Sequence, residues 1–289
     1  MVRKTPLSII FDSTHGNLFT FEDSDLHAFK SYVETMGFQI LENNFDFSTM
    51  QEINLTKILV LGVPTKKYSR TEIQNLIDYV RNGGSVLLIQ SHGGDQLQHS
   101  NLNELSVNFG IKFEHTVIKS NVNAGVPTLP IISINTKHLL VKGVRKLVYG
   151  GACNLSVMKN VDIIMESNKD CMFEIYNPDT QQWEPLDIAN SVQPLAAVNN
   201  YGLGKVSALC SLEMFSSNPQ FGLDSLDNKR FITNIISWLG SPNSEDEVKF
   251  WMLDQIGMMN IRLESLEVQI NSLMNMIRDL NEKISRNST

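Results

Sequence analysis

One stretch of the chain, residues 57–94, constrains the fold most strongly because it reads as strand, helix and strand in close succession. Its first part, KILVLGVP, is a short apolar run ending at Gly62 and Pro64, which favours a strand buried on both faces. A helix is expected next, with Ser69 and Thr71 as candidate N-caps, and SVLLIQ then predicts a second buried strand. Two strands joined by one helix are expected to lie parallel, with any binding site at their carboxyl ends.

The same alternation fills the rest of the N-terminal part. LSIIF predicts a first strand, a helix is expected from about Asp23 to Gly37, and FQILEN predicts a second strand. NLNELSVNFGI, after the central unit, predicts a helix that stops at Gly110. Strands and helices in regular alternation are typical of an α/β fold with a doubly wound, largely parallel sheet.

Beyond Lys112 the apolar runs become shorter, and several of them alternate with polar residues, which predicts an antiparallel β extension. The run PLAAVNNYGLGKVSALCS predicts a hairpin whose loop covers Asn199 to Gly204, and a helix is expected from Asn228 to Leu239. Gly, Ser and Pro follow that helix. We therefore expect one domain over residues 1–240 and a linker over residues 241–247.

Residues 248–289 carry the most regular pattern of the sequence, a heptad repeat that predicts a coiled-coil helix. Isoleucine at position a with leucine at position d favours two parallel strands. In that arrangement Arg262 at g and Glu267 at the following e can form an interhelical ion pair. The partner is expected to be a second copy, giving a homodimer, or another coiled-coil subunit, giving a heterodimer. A single amphipathic helix packed on the domain is the alternative. The seam residues are Ile256, Met259, Leu263, Leu266, Ile270, Leu273, Ile277, Leu280 and Ile284.

Composition excludes several classes of function. A formal net charge of -7 over 289 residues argues against nucleic acid as the main partner. No stretch approaches the roughly 18 apolar residues that a membrane span needs, and the start of the chain does not resemble a signal peptide. The three cysteines are scattered and lack metal-ligand spacing, so we expect a cytoplasmic protein without a metal or cofactor.

Polar side chains follow several of the predicted strands and are expected to meet at one edge of the sheet. The candidate pocket residues are Asp12, Thr14, His15, Ser91, His92 and Glu213. A serine with a histidine and a carboxylate is the set that a hydrolase uses. The alternative function is therefore a hydrolase or a small-ligand-binding enzyme whose cleft contains Ser91, His15, His92 and Glu213. A metal site formed by Asp12, His15 and His92 has the right residue types but no further support.

The match to a hydrolase motif is poor. The run from Ile89 to Gly93 contains only the second glycine of the G-x-S-x-G motif, and the adjacent Ser91 and His92 are expected to point in different directions. The structural alternative is that Asp12, Ser13 and Ser91 cap helices or satisfy loop amides.

Five segments, in order, resemble the GIFT domain, found in gliding-motility proteins and in the 52-kDa intraflagellar transport subunit. They are FDSTHGN, LVLGVP, GGSVLLIQSHGGD, LSVMKNVDII and GLGKVSALCSLEMFS, within about residues 5 to 240. The resemblance, which is greatest to the transport subunit, implies a flavodoxin-like fold of the glutamine amidotransferase type. In class I amidotransferases a cysteine follows the strand equivalent to SVLLI, whereas Gln90 and Ser91 stand there in this chain.

The resemblance therefore implies a non-enzymatic scaffold or protein-interaction subunit, with the C-terminal part pairing with a partner. This chain is shorter than the eukaryotic subunits, so we expect a prokaryotic relative.

Overall fold

A seven-stranded sheet forms the centre of the N-terminal part of the chain. The computed structural model describes residues 7–19, 26–43, 45–49, 57–188 and 191–242, together with nine positions between 263 and 277. The expected helix start near Asp23 and most of the expected linker lie outside these residues. By its internal contacts the chain divides into two units, Met1–Gly240 and Ser241–Thr289.

The first unit contains both strands and helices, as an α/β fold does. The strands are β1 (Ser8–Asp12), β2 (Gln39–Asn43), β3 (Ile58–Gly62), β4 (Ser85–Ile89), β5 (Ile111–Phe113), β6 (Thr116–Lys119), β7 (Ile131–Ser133), β8 (Lys146–Val148), β9 (Leu155–Val157), β10 (Asp162–Glu166), β11 (Met172–Asn177), β12 (Gln182–Leu186), β13 (Pro194–Tyr201) and β14 (Gly204–Leu209). The helices are α1 (His27–Thr35), α2 (Arg70–Arg81), α3 (Gly94–Gln98), α4 (Leu102–Ser106) and α5 (Asn228–Gly240). Short 3-10 turns occupy Val107–Phe109, Leu139–Val141 and Glu213–Phe215.

The large sheet is mostly parallel, as the sequence predicts. Its strand order is β10, β13, β14, β4, β3, β1, β2. The neighbours from β14 to β2 all pair in parallel, whereas β13 is antiparallel to both of its neighbours. The steps from β1 to β2 and from β3 to β4 run in opposite directions across the sheet, so right-handed crossovers place α1 and α2 on opposite faces. The sheet is thus doubly wound.

Burial on both faces explains why the central strands are continuous apolar runs. Every residue of β1, β3, β4 and β14 is buried, including the serines and glycines within them. The candidate site residues lie at or after the ends of β1, β4 and β14.

The antiparallel β extension is also present, as three small sheets. One has the order β12, β11, β6, and the other two pair β5 with β9 and β7 with β8. The hairpin of β13 and β14 is tighter than the sequence suggested. Its strands remain paired up to Tyr201 and Gly204, so the turn is only Gly202 and Leu203 instead of a loop over Asn199 to Gly204. Gly202 has φ +59, and an added Cβ there would lie 2.6 Å from the carbonyl oxygen of Arg81, so glycine is required.

The nine described positions between 263 and 277 are helical and exposed. Among the described residues, none of the helices has the length and apolar character needed to cross a membrane.

Candidate functional site

The loop after β1 places a histidine between two buried carboxylates. In the ion pairs of His15, Nδ1 lies 2.9 Å from Oδ2 of Asp12 and Nε2 lies 3.0 Å from Oε1 of Glu72. All three side chains are almost completely buried. A carboxylate can only accept hydrogen bonds, so an imidazole that serves both oxygens carries a hydrogen on each nitrogen and is positively charged. We call Asp12, His15 and Glu72 the buried triad.

Neutral donors also form hydrogen bonds to the carboxylate of Asp12. The hydroxyl of Tyr68 donates to Oδ2 of Asp12 at 3.0 Å. The backbone N–H and the hydroxyl of Thr14 donate to Oδ1 of Asp12 at 3.0 Å and 2.8 Å. The His15 ring also stacks between aromatic rings, with centroids 4.0 Å from Tyr68 and 5.7 Å from Phe47. The cluster therefore has the contacts of a satisfied polar core.

Glu72 has a local role in addition to its contact with His15. Its Oε2 accepts the backbone N–H of Ser69 at 2.8 Å, and the Ser69 hydroxyl accepts the N–H of Glu72 at 3.3 Å, which forms a capping box at the start of α2. Its Oε1 also accepts the N–H of Phe47 at 3.1 Å. One carboxylate thus joins the N-terminus of α2 to the loop after β1 and to the segment after β2.

The pKa shifts of the buried triad follow from these contacts. Burial lowers the pKa of His15, but the hydrogen bond and charge of Asp12 and the charge of Glu72 outweigh burial, so the pKa is raised above 6.5. Burial raises the pKa of Asp12, but the hydrogen bond and charge of His15 outweigh it and lower that pKa. Burial, with the nearby charge of Asp12, raises the pKa of Tyr68 well above 10. The contacts therefore favour a protonated His15 and an ionised Asp12 beside a neutral Tyr68.

A second cluster surrounds Gly151, beside the loop after β4. The backbone N–H of His92 donates to the carbonyl oxygen of Gly151 at 2.7 Å, and its Nδ1 lies 3.3 Å from the same oxygen. A Cβ added to Gly151 would lie 3.2 Å from Cγ of Glu213 and 3.6 Å from Nδ1 of His92. His92 and Glu213 therefore both lie close to one glycine, whose φ of +55 suits that residue.

Ser91 is buried and hydrogen-bonded to its neighbour in the loop and to α3. Its hydroxyl accepts Nε2 of Gln98 at 3.2 Å, and its N–H donates to Oε1 of Gln90 at 3.1 Å. Since Nδ1 of His92 faces the carbonyl of Gly151, these contacts do not form the relay from serine to histidine that a triad needs.

The six candidate residues thus fall into two groups in the structure. Asp12, Thr14 and His15 belong to the buried triad and its donors, whereas His92 and Glu213 lie close to Gly151, next to Ser91. Asp95, in α3, caps α4 by accepting the N–H groups of Leu102 and Asn103 at 2.9 Å and 2.8 Å. Within the described part of the chain, no group of three or more His, Cys, Asp or Glu side chains is arranged to hold a metal ion.

Sequence reasoning missed three contributors to these clusters. The S-x-x-E spacing from Ser69 to Glu72 could have predicted a capping box, but not the contact of Glu72 with His15. No sequence pattern predicted the position of Gly151. Trp183, on β12, lies 5.9 Å from the His92 ring and 5.3 Å from Tyr176, its neighbour across the pairing with β11. Alternating apolar residues on both sides of a polar turn could have predicted this hairpin.

Comparisons with known proteins agree with the predicted resemblance. Residues 8–123 match the family model of the IFT52 GIFT domain. The chain is 23% identical over 266 residues to the intraflagellar transport protein 52 homolog of Mus musculus, covering 83% of this chain and 57% of that protein. The Homo sapiens homolog is also 23% identical, over 264 residues, with 83% and 55% covered. The chain thus spans little more than half the length of these curated relatives.

A solved structure supports the same likeness. The mmIFT52 N-terminal domain superposes with a TM-score of 0.68 and 21% identity, covering 82% of this chain and 99% of that domain. At this level of identity the superposition shows a common fold. The resemblance to the GIFT domain predicted from the sequence is confirmed, and so is the α/β fold with a large, mostly parallel sheet.

Proposed function

We propose that this chain is a non-enzymatic scaffold subunit of a protein assembly. In this proposal the α/β unit has a GIFT-type fold related to the class I glutamine amidotransferases, and residues 248–289 pair with another helix in a parallel coiled coil. The matched relatives are named as intraflagellar transport proteins, which supports a role in a transport-type complex. In this proposal the chain acts in the cytoplasm.

One observation carries the proposal. Five of the nine predicted seam residues fall among the described positions, and each is helical and between 53 and 57% exposed. They are Leu263, Leu266, Ile270, Leu273 and Ile277. Large apolar side chains in a line along one helix leave a strip of apolar surface in water, which favours association with a second helix. Ile256, Met259, Leu280 and Ile284 complete the predicted seam outside the described residues.

The residue that follows β4 and the burial of the cysteines support a non-enzymatic role. Gln90 follows β4 where an amidotransferase carries its nucleophilic cysteine, and a glutamine cannot attack a carbonyl in that way. Cys153 and Cys210 are completely buried, and burial raises the pKa of Cys210 well above 9, so its thiol stays protonated. The hydrolase alternative would need Ser91 and His92 to leave the contacts that now hold them.

The experiment that tests the proposal is the solution mass of the full chain by light scattering, across a dilution series. We expect a dimer at micromolar concentration. Replacing Leu266 and Leu273 together by Asp should give a monomer with an unchanged thermal transition of the α/β unit, because carboxylates buried in the seam would lack partners.

The matched control replaces Asn271 and Ser272 by Asp, at heptad positions b and c. These positions face away from a two-stranded seam, so this variant should remain a dimer with the same added charge. A monomeric wild-type chain would refute the homodimer and leave pairing with a different coiled-coil subunit. A dimer that survives both seam substitutions would refute pairing through the heptads.

A further inference from the structure

The connection between β7 and β8 carries a charge opposite to that of the whole chain. Residues 115–161 contain six Lys and Arg residues and no Asp or Glu, although the formal net charge of the chain is -7. Four of these cations lie within residues 137–146, which end at the first residue of β8. A further cation of α5 lies beside them. We call the five exposed cations the basic face; they are Lys137, Lys142, Arg145, Lys146 and Arg230.

The connection and α5 approach each other closely at Gly143. This glycine has φ +80, and an added Cβ would lie 3.3 Å from Nη2 of Arg230. Nδ2 of Asn234, one turn further along α5, donates to the carbonyl oxygens of Leu140 at 2.9 Å and Lys142 at 3.2 Å. The guanidinium of Arg230 therefore lies beside the backbone that carries Lys142.

The backbone of the connection is held in place without the charged side chains. Nδ1 of His138 accepts the N–H of Leu140 at 3.2 Å, which caps the 3-10 turn. Oδ2 of Asp227 accepts the N–H groups of Arg145 at 2.8 Å and Lys146 at 3.1 Å. This carboxylate thus fixes the backbone at the positions of two of the cations.

The cations of the basic face have no ion-pair partner among the described residues. By contrast, Lys229, next to Arg230, pairs with Asp224 at 3.0 Å. Within the connection, Leu139 is 76% exposed, the highest value for a large apolar side chain in the described part of the chain. Like charges held together repel one another, so this surface favours an anionic partner that also brings an apolar group.

The acidic residues beside the basic face limit how wide that partner can be. Asp224 is exposed and Asp227 half-buried, and both come just before α5. A membrane surface or a nucleic-acid duplex presents a broad anionic surface and would bring more negative charge against these carboxylates, which is unfavourable. A single polypeptide segment is narrow enough to contact the cations alone. The charges therefore fit an acidic segment of a protein.

We propose that the basic face binds an acidic segment of a partner protein, with Leu139 packed against an apolar side chain of that segment. Exposed charges of this kind contribute mainly to the rate and orientation of the encounter. Burial of Leu139 supplies a contact that selects for an apolar group. The inference goes beyond the proposed function, because binding here does not require the C-terminal helix to pair.

The test is fluorescence anisotropy of a labelled peptide of glutamates with one central leucine, titrated with the full chain. We expect a dissociation constant of about 10 to 100 µM at about 0.05 M salt, and about tenfold weaker binding at about 0.5 M salt. Replacing Lys142 and Arg145 together by Glu should weaken binding by about tenfold or more. Leu139→Ser should weaken binding of this peptide about threefold and leave binding of an all-glutamate peptide unchanged.

The matched control replaces Lys66 and Lys67 together by Glu, because these exposed lysines lie in the loop between β3 and α2 and make the same change in net charge. This variant should bind like the wild type, and both double variants should keep the wild-type thermal transition. Equal losses in the two double variants would show that only net charge matters and would overturn the basic face.

Absence of peptide binding at low salt would also overturn the proposal. Phosphatidylserine vesicles and duplex DNA are tested in parallel, and binding of either one in place of the peptide would assign the surface to a different anion. Light scattering of the same samples separates this result from the proposed function. A dimer that does not bind the peptide refutes the basic face alone, whereas a monomer that binds it refutes the homodimer alone.

Discussion

Nε2 of His15 lies 3.0 Å from Oε1 of Glu72, and this contact joins the loop after β1 to the first turn of α2. Both side chains are almost completely buried. Glu72 also closes the capping box with Ser69, so the ion pair and the helix start share one carboxylate. This arrangement is suited to stabilising the fold more than to catalysis, because every polar atom that takes part already has a protein partner.

Replacing Glu72 by Gln should lower the free energy of unfolding by about 2 kcal/mol, the usual cost when a buried hydrogen bond to a charged group is weakened. The amide keeps the size of the side chain but removes the charge that faces His15. Urea denaturation at neutral pH measures the change. Glu104→Gln, an exposed carboxylate in the first turn of α4, is the control and should change stability by less than about 0.5 kcal/mol. Equal effects of the two substitutions would contradict a structural role for the pair.

The stability of the α/β unit should depend on pH through His15. Its pKa is raised in the folded chain, so its contribution is fully present below the unfolded pKa and is lost as pH rises through the folded pKa. Each unit of the shift is worth about 1.4 kcal/mol. Urea denaturation from about pH 6 to pH 9 should show this loss in the wild type and not in His15→Gln.

Asp12 acts in the opposite direction. Its pKa is lowered on folding, so its contribution to stability is present above the unfolded pKa and is lost as pH falls through the folded pKa.

The urea series also has an outcome that would contradict this account. Identical dependence of stability on pH in the wild type and in His15→Gln would show that the histidine does not couple to the carboxylates.

Ser91 should not react as a nucleophile. Its hydroxyl accepts a hydrogen bond from Gln98, and Nδ1 of His92 faces the carbonyl of Gly151, so its contacts in the described part of the chain provide no base to remove its proton. Incubation with a fluorophosphonate probe should give no labelling above that of Ser91→Ala. Labelling that the substitution abolishes would support the hydrolase alternative instead.

The cysteines should be poorly reactive in the folded chain. Cys153 and Cys210 are completely buried, and burial raises the pKa of the half-buried Cys171 to about 11 from its ordinary value of 9. The thiolate fraction of Cys171 at pH 8 should therefore be about 100-fold below that of an ordinary thiol. Titration with a disulfide reagent should show slow reaction of the native chain and rapid reaction of all three thiols in guanidinium chloride. Two rapid thiols in the native state would contradict this burial.

The sequence predicted the elements whose signals are local. The apolar runs of β1, β3 and β4 and the cap at Ser69 depend on neighbouring residues, and the structure places them as expected. The candidate residues after the strands were also identified. Asp12, Thr14 and His15 meet in the buried triad and its donors, and His92 and Glu213 lie close to Gly151. The expectation that all six share one cleft stays a prediction.

The remaining contacts join residues far apart in the chain, which no local pattern encodes. Glu72 reaches His15 only because β3 lies beside β1 in the sheet, which aligns the loops at their ends. Trp183 reaches His92 only because the small sheet of β11 and β12 carries it there. The turn of the last hairpin was misjudged because Asn199 and Asn200, ordinary turn residues, are paired within β13.

The most direct test of the account compares the solution mass of the full chain with that of a version ending at Gly240, where the first compact unit ends. Both are measured by light scattering over the same dilution series. The account predicts an associated full chain and a truncated chain that is monomeric and still folded. A truncated chain that associates as strongly as the full chain would contradict the account, because it would place self-association outside the heptads.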